Sequence, residues 1–222
     1  MKVKYNNPDF RPENYDLHNI DRMAMEFVED NLKVLDVGCA TGFMGEYLIK
    51  KKKCQVYGVE ERGAEADIAS KKLTGIIVGD IENEKTIIDI KKKTNNKLFD
   101  AILATSVIEH LKFPEKFLLN ARQLLKTHAK IIVTTPNIAH WSTRIELLKG
   151  NFDYEDYGIM DRTHLHFFTP KTFKNLFIKS GYKIINYSID DVGGGYPKIS
   201  QFLSRFFPSL FTYQMLIIAQ KK

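Results

Sequence analysis

Residues 34–43 read VLDVGCATGF: an apolar run around an aspartate, then a glycine, small residues and a second glycine. A loop of this composition after a strand brings backbone close to a ligand at the carboxyl edge of a sheet. The spacing argues against two phosphate-binding loops. A dinucleotide fingerprint needs glycines at positions 38, 40 and 43, and the chain offers Gly38, Ala40 and Phe43. No Gly-Lys-Ser/Thr follows, so a P-loop fails as well. Asp36 adds an electrostatic objection, because a carboxylate at the mouth of the loop repels a pyrophosphate and welcomes a cation. The residues call for a nucleoside that carries a positive charge.

Other candidate groups follow later apolar runs. Glu60 closes Gly58-Val59-Glu60, Asp80 and Ile81 follow Gly79, and Ser106-Val107-Ile108-Glu109-His110 follows Phe99–Ala104. His110 is the first candidate for a general base, since imidazole titrates in the useful range; the plainer reading is a histidine that fixes its loop through backbone hydrogen bonds. Glu109 either orients His110 or bonds backbone N–H groups. His164 and His166 share a side if their segment is extended. Two histidines with no third ligand of clear geometry make a poor metal site, so no metal is expected.

These groups need a scaffold. Ile20, Met23, Ala24, Phe27 and Val28 recur at helical spacing before the first strand. Short apolar runs at Lys33–Val37, Val56–Val59, Gly75–Val78, Phe99–Ala104 and Lys130–Thr134 then alternate with helical stretches, one of them opened by Pro114. Unbroken apolar strands separated by helices indicate a parallel sheet covered on both faces. Residues 136–169 break the pattern as an excursion rich in aromatics, histidines and charges. Thr169-Pro170 starts another helix that Gly181 ends. Strands at Tyr182–Ile189 and about Tyr213–Gln220 follow, separated by a loop over Asp190–Lys198 with three consecutive glycines. The expected fold class is α/β: a seven-stranded, mostly parallel, Rossmann-like sheet with helices on both faces and the last strand antiparallel. Residues 1–222 are expected to form one domain, with 1–30 as a helical cap and 136–169 as a substrate-facing insertion.

Composition narrows the setting. The net charge is +6 and the pI about 9.1. The basic residues are scattered, which reads as a solvated surface; a nucleic acid, an acidic lipid or a phosphorylated ligand is the sharper alternative. Cys39 and Cys54 lack metal-ligand spacing and are expected as reduced thiols in a cytoplasm. MKVKYNNPDF has no signal-peptide apolar run, and no stretch reaches membrane-spanning length.

Asp36-Val-Gly38-Cys39-Ala40-Thr-Gly42 resembles the first motif of class I S-adenosylmethionine-dependent methyltransferases, with Ala40 in place of the middle glycine. The later motifs occur in the family's order over roughly residues 14–220. The resemblance implies S-adenosylmethionine as cofactor, with residues 38–42 facing its methionine and ribose parts and Asp36 holding its amino group. It implies that Glu60 accepts from the ribose hydroxyls, that Asp80 accepts from the adenine amino group and that Ile81 packs on the ring. Ser106–Leu111 looks like the family's fourth motif.

The segment Asp161-Arg162-Thr163-His164-Leu165-His166-Phe167-Phe168 resembles one found in methyltransferases of the ubiquinone-pathway type and in others encoded with sugar-modifying enzymes. A small-molecule acceptor, sugar- or quinone-like and methylated at oxygen, is therefore expected. His164 or His166 would line its pocket, with Arg162 for an anionic group. Trp141, Phe152, Tyr154 and Tyr157 wall that pocket or simply pack. Phe202, Phe206, Phe207 and Phe211 are read as packed against the sheet, lipid contact being the lesser alternative. A nucleic-acid amino-methyltransferase is disfavoured, because no Asn/Asp-Pro-Pro-aromatic motif follows the fourth strand. An RNA-modifying enzyme of another type and a non-catalytic cofactor-binding protein stay open. Oligomeric state is not readable.

Overall fold

Strand periodicity here splits the apolar residues between two cores. The computed structural model describes residues 6–17, 19–190, 202–204 and 206–222. Strands β1 (Lys33–Val37), β2 (Gln55–Glu60), β3 (Gly75–Val78), β4 (Phe99–Thr105) and β5 (Leu125–Pro136) pair in parallel. β7 (Gln214–Lys221) runs antiparallel between β5 and β6 (Tyr182–Asp190), which completes the order β3-β2-β1-β4-β5-β7-β6. Adjacent residues feed opposite faces: Leu35, Ile102 and Ile131 enter one core, and Val34, Leu103 and Ile132 the other.

The first core is closed by α4 (Glu84–Lys93), α5 (Pro114–Leu124) and α7 (Pro170–Lys179) through Ile90, Phe117 and Phe173. The second is closed by α1 (Ile20–Glu26), α2 (Phe43–Lys52) and α3 (Gly63–Ala69) through Met25, Leu48 and Ala69. Each fully buried large side chain contributes about 1.5–3 kcal/mol relative to exposure. Local signals place the helix starts. Asn19 caps α1 by accepting from the Asp21 and Arg22 amides, and Thr169 with Thr172 forms a capping box at α7.

The expected strands are all present, and β1 and β3 keep their expected ends. β5 starts earlier than expected, because Leu125 already pairs with Phe99 before a register shift leads to the Ala101–Lys130 pairing. The expected N-terminal cap is modest among the described residues: a 3-10 turn at Pro12–Asn14 and the seven-residue α1. The excursion contains α6 (Trp141–Leu148) and otherwise irregular chain that rejoins the body through the Asn137–Phe168 bridge. Among the described residues before β7 are a short helical segment at 202–204 and the short α8 (Pro208–Phe211). Phe202, Phe206 and Phe207 are exposed, so packing against the sheet does not explain them. The expected triple-glycine loop and Arg205 lie outside the described residues.

Strand order reverses between β1 and β4, which places the ligand crevice beyond their carboxyl ends. No helix among the described residues is long and apolar enough to cross a membrane.

Candidate active site

At that edge lies a cavity of about 600 Å³ lined by the loops after β1 to β4, the excursion and the start of β7. Its cofactor side begins with the glycine loop. Gly38 and Cys39 donate to the Val59 carbonyl at 2.8 and 3.1 Å, and Gly42 donates to Cys39 at 2.8 Å. A Cβ on Gly38 would lie 2.6 Å from Val107 Cγ2, so only glycine lets this loop and the β4 loop approach so closely. Ala40 has φ +46°, a left-handed conformation that explains why a glycine suits this place. Gly38, Cys39 and Ala40 line the cavity; Gly42 instead turns the chain into α2, where a Cβ would press on Ala69 at 3.1 Å.

Asp36 is buried at the back of the cavity, and its Oδ2 has no hydrogen-bond partner. Burial first, and the Glu60 charge second, push its carboxyl up to about 7. Glu60 holds the loop, accepting from Ala40 N at 2.9 Å and Arg62 N at 3.0 Å. Beyond β3, Asp80 accepts from the Glu82 amide at 2.8 Å, and Ile81 is buried beside it. Ser106 lines the cavity with φ +51°, its amide bonded to Thr134 Oγ1 at 3.0 Å. Cys39 is no nucleophile, because burial raises its thiol far above the ordinary range. An orphaned buried acid, a close-approach glycine and strand-end acids thus line one cavity in Asp36, Gly38, Glu60 and Asp80, a donor and acceptor set whose chemistry fits a cationic nucleoside.

The opposite wall carries the second set. His110 and His164 meet edge to face with ring centroids 4.8 Å apart. Nδ1 of His110 lies 3.1 Å from the Thr163 carbonyl, and Nδ1 of His164 lies 3.0 Å from the Ile159 carbonyl. A carbonyl only accepts, so each ring carries its proton on Nδ1 and, when neutral, leaves Nε2 as the basic atom. Glu109 is buried behind them, and neither carboxylate oxygen has a hydrogen-bond partner among the described residues. Burial raises its carboxyl to about 8; its own amide and the Thr135 hydroxyl temper the rise without reaching hydrogen-bond geometry. The Glu109 carbonyl accepts from the Leu165 and His166 amides at 2.8 and 3.0 Å, which pins the excursion to the β4 loop.

The other expected acceptor residues lie off the cavity. Arg162 pairs with Asp156 at 2.9 Å, Trp141 begins α6 beside His140, and His166 Nε2 sits 3.2 Å from the Lys112 carbonyl. His164 and His166 therefore do not act together. Among the described residues, Glu109, His110 and His164 instead bring potential ligand atoms within 4.8 Å of one another. Tyr157 does line the cavity, and so do Glu82, Tyr213 and Gln214, which the sequence reading did not single out. A signal for the last two existed. An antiparallel strand begins where parallel strands end, so its first residues overhang the ligand edge.

The profile of a family described as a methyltransferase domain matches residues 10–187. The ubiquinone biosynthesis O-methyltransferase of Rattus norvegicus is 24% identical, over 76% of this chain and 54% of its own length. The chain thus spans about half the length of the first curated relatives it matches. The solved structure of a SAM-dependent methyltransferase from Archaeoglobus fulgidus is 18% identical with a TM-score of 0.63, covering 90% of each chain. That of magnesium protoporphyrin IX methyltransferase from Synechocystis, with SAH bound, is 12% identical with a TM-score of 0.61 over 91% of this chain and 80% of its own.

Proposed function

The chain belongs to the methyltransferase-domain family, in its class I S-adenosylmethionine-dependent branch, and on that premise we propose that it methylates an oxygen of a sugar- or quinone-like small molecule. The observation that carries this reading is the meeting of His110 and His164 on the wall of the cavity that the glycine loop also lines.

Bound S-adenosylmethionine supplies a methyl group on a sulfonium, a good leaving group. Asp36 offers its orphaned oxygen to the ligand's ammonium, and Glu60 and Asp80 stand at the strand ends for the ribose and adenine. Positioning provides most of the acceleration of such a displacement. A hydroxyl acceptor must also lose its proton, and His110 Nε2 receives it while the Thr163 carbonyl holds the ring through Nδ1. His164 sets the orientation of His110 from the side. The chain acts as one domain in this reading, with α1 contributing Asp21 to the cavity and 136–169 forming the acceptor side, and a cytoplasmic location suits its free cysteines.

The test combines calorimetry with S-adenosylhomocysteine and a screen of hydroxylated sugars and catechols with methyl-labelled cofactor, the products being mapped by NMR. O-methyl products that vanish in His110→Ala while cofactor binding persists support the reading. Label in RNA, with binding that falls steeply as salt rises, would transfer support to the RNA-modifying alternative that the +6 charge permits. Binding without turnover on any acceptor would favour a cofactor-sensing protein.

A further inference from the structure

We propose that the acceptor bears an ammonium group, received by the Glu109 carboxylate on the acceptor side of the cavity; this deepens the preceding reading and rests on it.

The ionisable lining of the cavity is mostly acidic in a chain that is positive overall. Nine carboxylates and two fixed cations, Arg62 and Lys112, line it, whereas the whole sequence carries +6. Both cations follow cofactor-side elements: Arg62 comes after β2 and approaches Glu65 at 3.8 Å, and the Lys112 amide is held by Glu82. The lining contributed by the excursion and by the start of β7 contains no lysine or arginine.

The excursion has the same bias. Between Ile145 and Leu165 it has five carboxylates against Lys149 and Arg162. Those two cations are already paired, Lys149 with Glu146 at 2.8 Å and Arg162 with Asp156 at 2.9 Å. Of these acids Asp161 lines the cavity and accepts from the Thr163 amide and hydroxyl, whereas Asp153 and Glu155 are exposed outside the lining. Phe152, Tyr154 and Tyr157 alternate with these acids and are exposed, and the Phe152 and Tyr154 rings stand 5.6 Å apart. Carboxylates interleaved with exposed aromatic faces attract organic cations through charge and through the ring quadrupole. They repel phosphates and carboxylates for the same reasons.

Glu109 is the independent second observation. It is 1% exposed and lines the acceptor side, with both oxygens unpartnered among the described residues. A buried carboxylate left in this way is costly until a ligand brings a donor or a counter-charge. Asp36 presents the same unpartnered acid on the cofactor side, where the ligand is cationic. Two such acids in the lining of one cavity match two positively charged ligands.

The probes are glucosamine, glucose and glucuronate, and 3,4-dihydroxybenzylamine, 3,4-dihydroxybenzyl alcohol and 3,4-dihydroxybenzoate. Each is titrated calorimetrically at pH 7 into protein saturated with S-adenosylhomocysteine, so the readout needs no turnover. In at least one series the amine should bind about tenfold tighter than the alcohol, the scale of a desolvated cation–π and charge contact, and the carboxylate most weakly. Asp153→Asn with Glu155→Gln should reduce that preference only modestly, since neither residue lines the cavity, without changing affinity for S-adenosylhomocysteine. Glu109→Gln should remove most of it, and circular dichroism establishes that the variant is folded. Equal affinities, a carboxylate that binds best, or no saturable binding in either series would overturn the proposal. So would tight Mg²⁺ or Zn²⁺ binding that Glu109→Gln abolishes, because a metal ion would then be the counter-charge. Methyl transfer to the neutral alcohols without an amine preference would overturn this inference alone and leave the O-methyltransferase reading intact.

Discussion

Glu82 accepts the Phe113 amide at 2.6 Å, with the Lys112 amide at 2.8 Å on its other oxygen. One carboxylate thereby ties the turn after β3, where Asp80 stands, to the chain that leaves His110. The bond also satisfies orphan donors at the start of α5, where Pro114 takes the first position. Glu82→Ala should lower stability by about 1.5–3 kcal/mol, the scale of hydrogen bonds to a charged group. Because it frees the His110 loop, kcat should fall more than cofactor affinity. Urea melts and steady-state kinetics check both, and an effect on cofactor affinity alone would contradict the link.

Asp36 makes the cofactor-free protein sensitive to pH. Its carboxyl titrates at about 7 when folded and about 3.9 when unfolded. The folded state therefore holds the extra proton between these values, and stability falls as pH rises from about 4 to about 7. The slope reaches at most about 1.4 kcal/mol per pH unit and ends above the folded value. Glu109, raised to about 8, adds a slope of the same sign. Thermal melts from pH 5 to 8 should show a shallower decline for Asp36→Asn than for the wild type. Parallel curves would place the Asp36 charge in a better-solvated setting.

Cofactor binding should expel the same proton. A ligand ammonium beside Asp36 favours its ionised form, so binding below pH 7 releases protons. Titrations in phosphate and Tris, whose ionisation heats differ, should give different apparent enthalpies for the wild type. The enthalpies should converge for Asp36→Asn.

Ala40 sits at φ +46°, and left-handed backbone costs a non-glycine residue about 1–2 kcal/mol. Ala40→Gly removes that strain but adds chain entropy to the unfolded state. The net expectation is about 0.5–1 kcal/mol of added stability. A loss in denaturant melts would show that the Ala40 methyl packs favourably.

His110→Gln should lower the rate of methyl transfer to a hydroxyl by about 10²–10⁴, the range for a lost general base. Affinity for S-adenosylhomocysteine should change little, because the Asp36 side of the cavity is untouched. Single-turnover kinetics separate the two effects. An unchanged rate would leave His110 with only its loop-fixing contact to Thr163.

Elements were legible where a local rule decides them. The single apolar runs Lys33–Val37 and Gly75–Val78 match β1 and β3, and Pro114 opens α5 as expected. The start of β5 was not legible, because Lys126, Thr127 and His128 are polar and exposed and the pairing there depends on β4. Cofactor-side acids could be found one by one, since each follows its own strand. The acceptor side required chain folding that no spacing encodes. His110 and His164 meet only because the Glu109 carbonyl captures two excursion amides. Alternation favoured pairing His164 with His166, but their loop is not extended, and the two rings bond to carbonyls of different segments.

Placing β7 between β5 and β6 constrains the order in which the sheet can be completed during synthesis. β6 leaves the ribosome first, yet among the described residues its strand partner is β7. Until β7 emerges and inserts, β5 and β6 both present unpaired edges, and the overhang that carries Tyr213 and Gln214 is missing. The nascent protein can therefore assemble its cofactor loop early while its acceptor wall waits for the later strand. During that interval the open edges are the surfaces a chaperone would cover.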